Sequence, residues 1–312
     1  MKKFKSKNLL VIGSTGSGRS NFIDKFITDF LKENDPEDFK LVLIDPKKVM
    51  FSQYNGVAHL LSEVIDSTGK AKSAFKWAWG ESLRRIKLMS ELGIENIKEY
   101  KKNDKFRNQL PGIVIVIEEF ADFMISDPEF FEDYLKRILG LSDVVGIYLV
   151  VATARSTESV LTRKIRGIFP DRIVFRLPEE ESSVLAMNNN QAMQLNKAGS
   201  CFMVDMIDGK YDKVQMPFID EDEVLKTVNL IKEQYTNFQI LMDAKDAEEE
   251  KEEDILYETA KKIVIKNGKA STSFLQRQLK IGYSRSARLI DMLEDNGVIG
   301  KANGAEPREV LI

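Results

Sequence analysis

The twelve residues from Leu9 to Ser20 limit the fold more than any other stretch. Leu9-Leu10-Val11-Ile12 is an apolar run that feeds the loop Gly13-Ser14-Thr15-Gly16-Ser17-Gly18, and Arg19-Ser20 opens a helical pattern behind it. A short apolar run reads as a buried strand. Three glycines ahead of a helix let backbone N–H groups converge on phosphate oxygens at the positive helix end. The sequence therefore predicts a strand–loop–helix unit in which Gly13, Ser14, Thr15, Gly16, Ser17, Gly18, Arg19 and Ser20 bind a nucleotide, with the Ser20 hydroxyl on Mg2+. Arg19 stands where the pattern carries lysine. A planar guanidinium does not replace a compact ammonium between terminal phosphates, so nucleotide binding is better supported than hydrolysis.

Strand-like and helical patterns alternate through residue 212, the pattern of an α/β sheet with mostly parallel strands. Strands are expected at Asn8–Ile12, Leu41–Ile44, Ile113–Ile117, Tyr148–Ala152 and Arg172–Phe175. Helices are expected near Ser20–Glu33, Lys70–Leu92, Phe130–Leu139 and Thr162–Gly167. The polar, basic stretch Lys98–Pro111 reads as a surface loop, solvated or in contact with DNA. Ile113–Ile117 is apolar on both faces, as a central strand must be, and ends in Glu118-Glu119. Behind a phosphate loop, Glu118 suits the metal and Glu119 the activation of a water, although two acids there also suit a helix N-terminus. Thr153 ends the fourth strand, where its hydroxyl suits sensing a terminal phosphate or, as the alternative, a structural turn. Asp45-Pro46-Lys47 ends the second, as a nucleotide contact, a subunit contact or a plain turn.

The chain has 312 residues, enough for two domains. Its one cysteine, Cys201, excludes an internal disulfide and reads as a buried hydrophobe; the lone His59 excludes a histidine metal cluster. No apolar segment reaches membrane-span length, so no direct membrane segment is expected and the chain reads as cytoplasmic. From Ile255 to Ile312 there are ten Lys/Arg against six Asp/Glu, a balance of +4 against −3 for the whole chain, so the remainder carries −7. The acidic stretch Ala247–Asp254 reads as an interdomain linker or a helix end. The expected domains are 1–220, a nucleotide-binding α/β domain; 221–254, a helix and acidic linker; and 255–312, a small DNA-binding domain.

In that tail, Ser271–Lys280 and Ser284–Asn296 form two helices around Ile281-Gly282-Tyr283, a helix-turn-helix with Ser284 as the expected N-cap. Ser284, Arg288 and Asp291 share a face suited to reading bases, with Arg288 matched to guanine and Asp291 to a cytosine amino group. Arg285 lies beside them. Gly297–Ile312 forms a wing whose Lys301 and Arg308 suit phosphates. Such a domain also serves as a protein-interaction module.

Taken in order, FKLVLIDPK (39–47), HLLSEV (59–64), RRIKLM (84–89), EEFAD (118–122) and ATAR (152–155) resemble the FtsK/SpoIIIE septal DNA translocases. The tail, including QRQLKIGYSRSAR (276–288), resembles their winged-helix γ domain. The resemblance implies a RecA-like P-loop ATPase that assembles as a homo-hexamer, uses ATP and Mg2+ and pumps double-stranded DNA in chromosome segregation; whether a recombinase is a further partner is left open. Glu119, Arg19 and Thr153 are the expected catalytic residues. Four positions depart from the family pattern: Arg19 for lysine, Glu118 for aspartate, Ala154 for glutamine, and Val184 where an arginine acting across the subunit interface is expected. These departures predict slow turnover. The alternatives are an ATP-binding, hydrolysis-impaired DNA-binding protein and a plasmid-transfer or packaging relative.

Overall fold

The computed structural model describes residues 8–103, 109–236, 242, 257–279, 282–301 and 308–311. The chain divides into two compact units, Met1–Ala247 and Glu248–Ile312.

The first unit is built on a sheet of β1 (Leu9–Ile12), β2 (Phe39–Ile44), β3 (Gly112–Ile117), β4 (Ile147–Thr153), β5 (Asp171–Phe175), β6 (Ser200–Asp205) and β7 (Lys210–Gln215), in the order β2-β3-β4-β1-β5-β6-β7. The first five strands run parallel; β6 and β7 are antiparallel. Around them lie α1 (Arg19–Glu33), α2 (Thr68–Glu91), α3 (Ile97–Tyr100), α4 (Phe120–Ser126), α5 (Pro128–Val145), α6 (Arg163–Ile168), α7 (Glu180–Met187) and α8 (Glu221–Gln234).

Successive side chains of a strand face opposite ways, so each parallel strand feeds two cores. Leu10 and Ile12 join Phe75 of α2 and Phe131, Leu135 and Ile138 of α5 on one face. Leu9 and Val11 join Ile23, Ile27 and Leu31 of α1 and Val224, Val228 and Ile231 of α8 on the other. β1 lies between β4 and β5, while the chain leaves it for the far edge at β2. Ligands of α/β sheets bind at the carboxyl ends of strands where the order reverses. The loops after β1, β3 and β4 meet there.

Three differences from the sequence reading have local causes. The polar edge strand β7, with sequence KYDKVQ, has no apolar alternation on its outer side, so the β6–β7 hairpin is missing from the expected strands. Lys98–Pro111 is not all surface loop: α3 buries Ile97 and Tyr100, and Lys101 Nζ donates to Asp38 O at 2.8 Å. Residues 104–108 of that stretch lie outside the described residues. The helix expected at Phe130–Leu139 begins earlier, where Asp127 caps Phe130 N and Pro128 takes the first turn. It ends later, at Gly146, which has φ 76°. Cys201 and His59 are buried, Cys201 with its thiol pushed up to about 12 by burial and His59 with Nε2 2.8 Å from Asn34 O.

The second unit holds α9 (Tyr257–Asn267), α10 (Thr272–Leu279) and α11 (Tyr283–Asp295) around a small core of Ala260, Val264, Leu275, Leu289 and Leu293. Antiparallel bridges Ala270↔Arg308 and Ile299↔Val310 form the wing. The second helix starts at Tyr283 with Gly282 as its N-cap, so Ser284 is not the cap. Ser286 Oγ bonds back to Gly282 O at 3.0 Å.

Candidate functional site

The phosphate loop is strung between neighbouring strands. Gly13 N donates to Thr153 O at 3.2 Å, Ser14 N to Arg176 O at 3.0 Å, and Gly199 N to Ser17 O at 2.9 Å. Gly18 caps α1 with φ 101°, and a Cβ there would stand 2.5 Å from Gly199 N. Gly18→Ala is therefore expected to destabilise the first unit by about 1–3 kcal/mol, read by urea unfolding. No side chain caps α1 and no acid occupies its first turn. Its N-terminal N–H groups are left for an anion.

Thr15, Gly16 and Ser20 are exposed at the helix head. With Gly18 and Arg19 they line a cavity of about 740 Å³ that also takes in Asp45, Lys47, Glu118 and Glu119. Arg19 is already engaged within this cavity through its guanidinium. Its side chain is 7% exposed and crosses to the acids after β3: Nη2 lies 2.5 Å from Glu118 Oε1 and 2.7 Å from Glu119 Oε1, while Nη1 donates to Gly13 O at 3.3 Å. One guanidinium thus clamps both carboxylates. Burial pushes the Glu118 carboxyl above the usual carboxylate range, against the pull of Arg19. Lys47 Nζ stands 3.7 Å from Glu119 Oε2. Glu119 sits at φ 50°, ψ 48°, left-handed backbone that a non-glycine residue adopts only under constraint. Two buried atoms of this cluster lack partners, Arg19 Nε and Glu118 Oε2. An orphaned carboxylate oxygen fits a hard cation such as Mg2+, with the exposed Ser20 hydroxyl as a second oxygen ligand.

The other expected residues are placed differently. The Thr153 hydroxyl is buried and engaged in its own turn, donating to Arg155 O at 3.0 Å and accepting from Arg155 N at 3.1 Å. Asp45 builds a turn, accepting from the backbone N–H of Lys47, Met50 and Phe51. Val184 stands half-exposed on α7. Arg308 is paired with Glu294 and, at 3.7 Å, with Asp291, so its charge is engaged within its own unit. Lys301 is exposed. Ser284, Arg285 and Arg288 fall on α11, but their side chains lie outside the described ones. Sequence reasoning missed the segment after β7, Met216–Asp220, which lines the same cavity. A Pro beside an exposed Phe at a strand end was its one signal.

Residues 1–158 match the FtsK/SpoIIIE family, and residues 251–312 match the Ftsk gamma domain. The chain belongs to the FtsK/SpoIIIE family. This family member is 37% identical over 317 residues to the DNA translocase FtsK of Clostridium acetobutylicum, covering 99% of this chain and 41% of that one. It is 37% identical over 320 residues to the DNA translocase FtsK of Bacillus anthracis, covering 99% and 40%. The chain spans about two-fifths of the length of these curated relatives. Among solved structures, the pCW3 conjugation coupling protein TcpA with ATPγS superposes with a TM-score of 0.63 at 24% identity, covering 72% of this chain and 65% of that one. The cytoplasmic domain of the Thermomonospora curvata type VII secretion ATPase EccC gives 0.65 at 20% identity, covering 77% and 29%. At these identities they show the fold: a P-loop ATPase sheet, here followed by a winged helix. Among the described residues no helix is long and apolar enough to cross a membrane.

Proposed function

We propose that this chain is the motor and DNA-reading portion of an ATP-driven double-stranded DNA translocase, acting in the cytoplasm in chromosome segregation as a homo-hexameric ring. One observation carries the reading. The uncapped head of α1 and the Glu118–Glu119 pair face one cavity in a chain that matches the FtsK/SpoIIIE family and its gamma domain. The phosphate loop holds the triphosphate by backbone N–H groups. Ser20 Oγ and Glu118 Oε2 are the oxygens that fit Mg2+, which when bound neutralises charge on the β- and γ-phosphates. Glu119 takes a proton from the attacking water, and this requires that Arg19 release it. Thr153 reads the terminal phosphate once its hydroxyl leaves the Arg155 backbone.

Light scattering with duplex DNA and a non-hydrolysable ATP analogue is expected to show a hexamer. A monomer under all such conditions would remove the ring reading. The Arg19 clamp favours a second reading, in which ATP is held for assembly and barely hydrolysed.

In the winged helix, Arg288→Ala is expected to cost about 1–3 kcal/mol at one base position and to relax preference there. Lys301→Ala is expected to weaken all sequences and lower the salt slope by about one. Binding of the full chain to a panel of duplexes at several salt concentrations separates the two. Identical behaviour would mean that the domain tethers the ring or binds protein.

A further inference from the structure

One arginine ties the wing of the second unit to α11. Arg308 N donates to Ala270 O at 2.9 Å within the antiparallel bridge Ala270↔Arg308, and Ala270 is fully buried in the small core. The Arg308 backbone is thereby fixed against that core, and its side chain crosses to α11. There Nη1 donates to Glu294 Oε2, and Nη2 lies 3.7 Å from Asp291 Oδ1. Asp291 and Glu294 are three positions apart, so they are neighbours on one helix face. The planar fork, with two terminal nitrogens, serves both acids at once. Exposure divides their roles. The Arg308 and Glu294 side chains are 18% and 28% exposed, whereas that of Asp291 is 68% exposed. Glu294 is the anchor. Asp291, engaged through Oδ1, keeps accepting capacity for a donor outside the protein.

On the reading of the winged helix as a base-reading domain, we propose that Arg308 is a positioning residue for that reading. Rather than binding a phosphate, it orients the Asp291 carboxylate and offsets its charge, so that Asp291 accepts from the amino group of one cytosine in duplex DNA. Without the guanidinium, Asp291 and Glu294 would place two negative charges on a face that approaches phosphates, and repulsion would oppose docking. With it the three side chains together carry one. An oriented carboxylate suits the donor that cytosine presents in the major groove, whereas guanine and the thymine oxygen present acceptors and are disfavoured. A lysine at position 308 keeps the charge and one bond to Glu294 but has no second nitrogen for Asp291. Arg308→Lys therefore separates positioning from charge.

The test is binding of the full chain to the duplex it selects from a random pool, and to that duplex with each base pair replaced in turn, at several salt concentrations. Asp291→Ala is expected to lose about tenfold in preference for cytosine at one position, within the range of a good base contact. Arg308→Gln and Arg308→Lys are both expected to relax that same position severalfold, to leave the other positions as in the native chain, and to keep the salt slope. Arg308→Lys keeps the Glu294 anchor and carries the test even where Arg308→Gln loosens the wing. Asp291→Ala combined with Arg308→Lys is expected to lose no more than Asp291→Ala alone, because Arg308 acts through Asp291. A phosphate contact behaves differently: Arg308→Gln would weaken every duplex alike and lower the slope by about one, with Arg308→Lys close to native. That pattern, or losses that add in the double variant, would overturn the positioning role. A selected site whose preferences Asp291→Ala leaves untouched would also overturn it, while sparing base reading by the winged helix. Selection of no site by the native chain would overturn base reading itself, and the positioning role with it.

Discussion

Glu119→Gln is expected to reduce DNA-dependent ATP turnover by about 10²–10⁴-fold, the range a positioned general base contributes, while ATP affinity stays the same or tightens. The amide keeps the size of the side chain but cannot take a proton from water. It also removes one negative charge from a cluster that faces phosphates. In the native chain Glu119 Oε1 is 2.7 Å from Arg19 Nη2, and the same nitrogen holds Glu118. The substitution therefore loosens Arg19 as well. Single-turnover phosphate release, with Kd from a fluorescent ATP analogue, separates the two effects. A loss of binding equal to the loss of rate would place Glu119 in ground-state binding rather than in water activation.

Arg19→Lys is expected to change the rate in the opposite direction, by about tenfold or more, which corresponds to about 1.4 kcal/mol or more of barrier. Removing one partner of a buried ion pair typically costs about 3–5 kcal/mol, and catalysis by Glu119 must meet part of that cost while Arg19 holds both acids. A lysine ammonium lacks the second nitrogen that Arg19 anchors on Gly13 O at 3.3 Å. It is free to leave the acids for the phosphates and so releases Glu119. A slower Arg19→Lys enzyme would mean that the guanidinium itself stabilises the transition state and that the site is adapted around it.

What was legible in the chain was local. Leu9–Ile12, the three glycines and the helix behind them state their structure within a few residues, because strand burial, positive φ and helix capping are short-range demands. Ile113–Ile117 with Glu118-Glu119 was legible for the same reason. The partners across the chain were not. Arg19 and Glu118 are 99 positions apart, and nothing in the pattern of either says that the guanidinium pairs with the acids rather than with phosphate. The bond from Tyr54 Oη to Asp24 Oδ1 at 2.8 Å, and that from Asn21 Nδ2 to Ile219 O at 2.5 Å, likewise depend on how α1, the turn after β2 and the approach to α8 pack together. At the tail, sequence placed the cap at Ser284 when Gly282 serves. Arg308 read as a phosphate contact, although Glu294 and Asp291, one helix away, already hold its charge.

Phosphate release by the native chain, measured with and without duplex DNA at saturating ATP and Mg2+, tests the central claim most directly. A DNA-dependent motor with clamped acids predicts slow release that duplex DNA stimulates and that Arg19→Lys accelerates further under the same conditions. Release that is fast in the native chain, indifferent to DNA, or absent even in Arg19→Lys would contradict it.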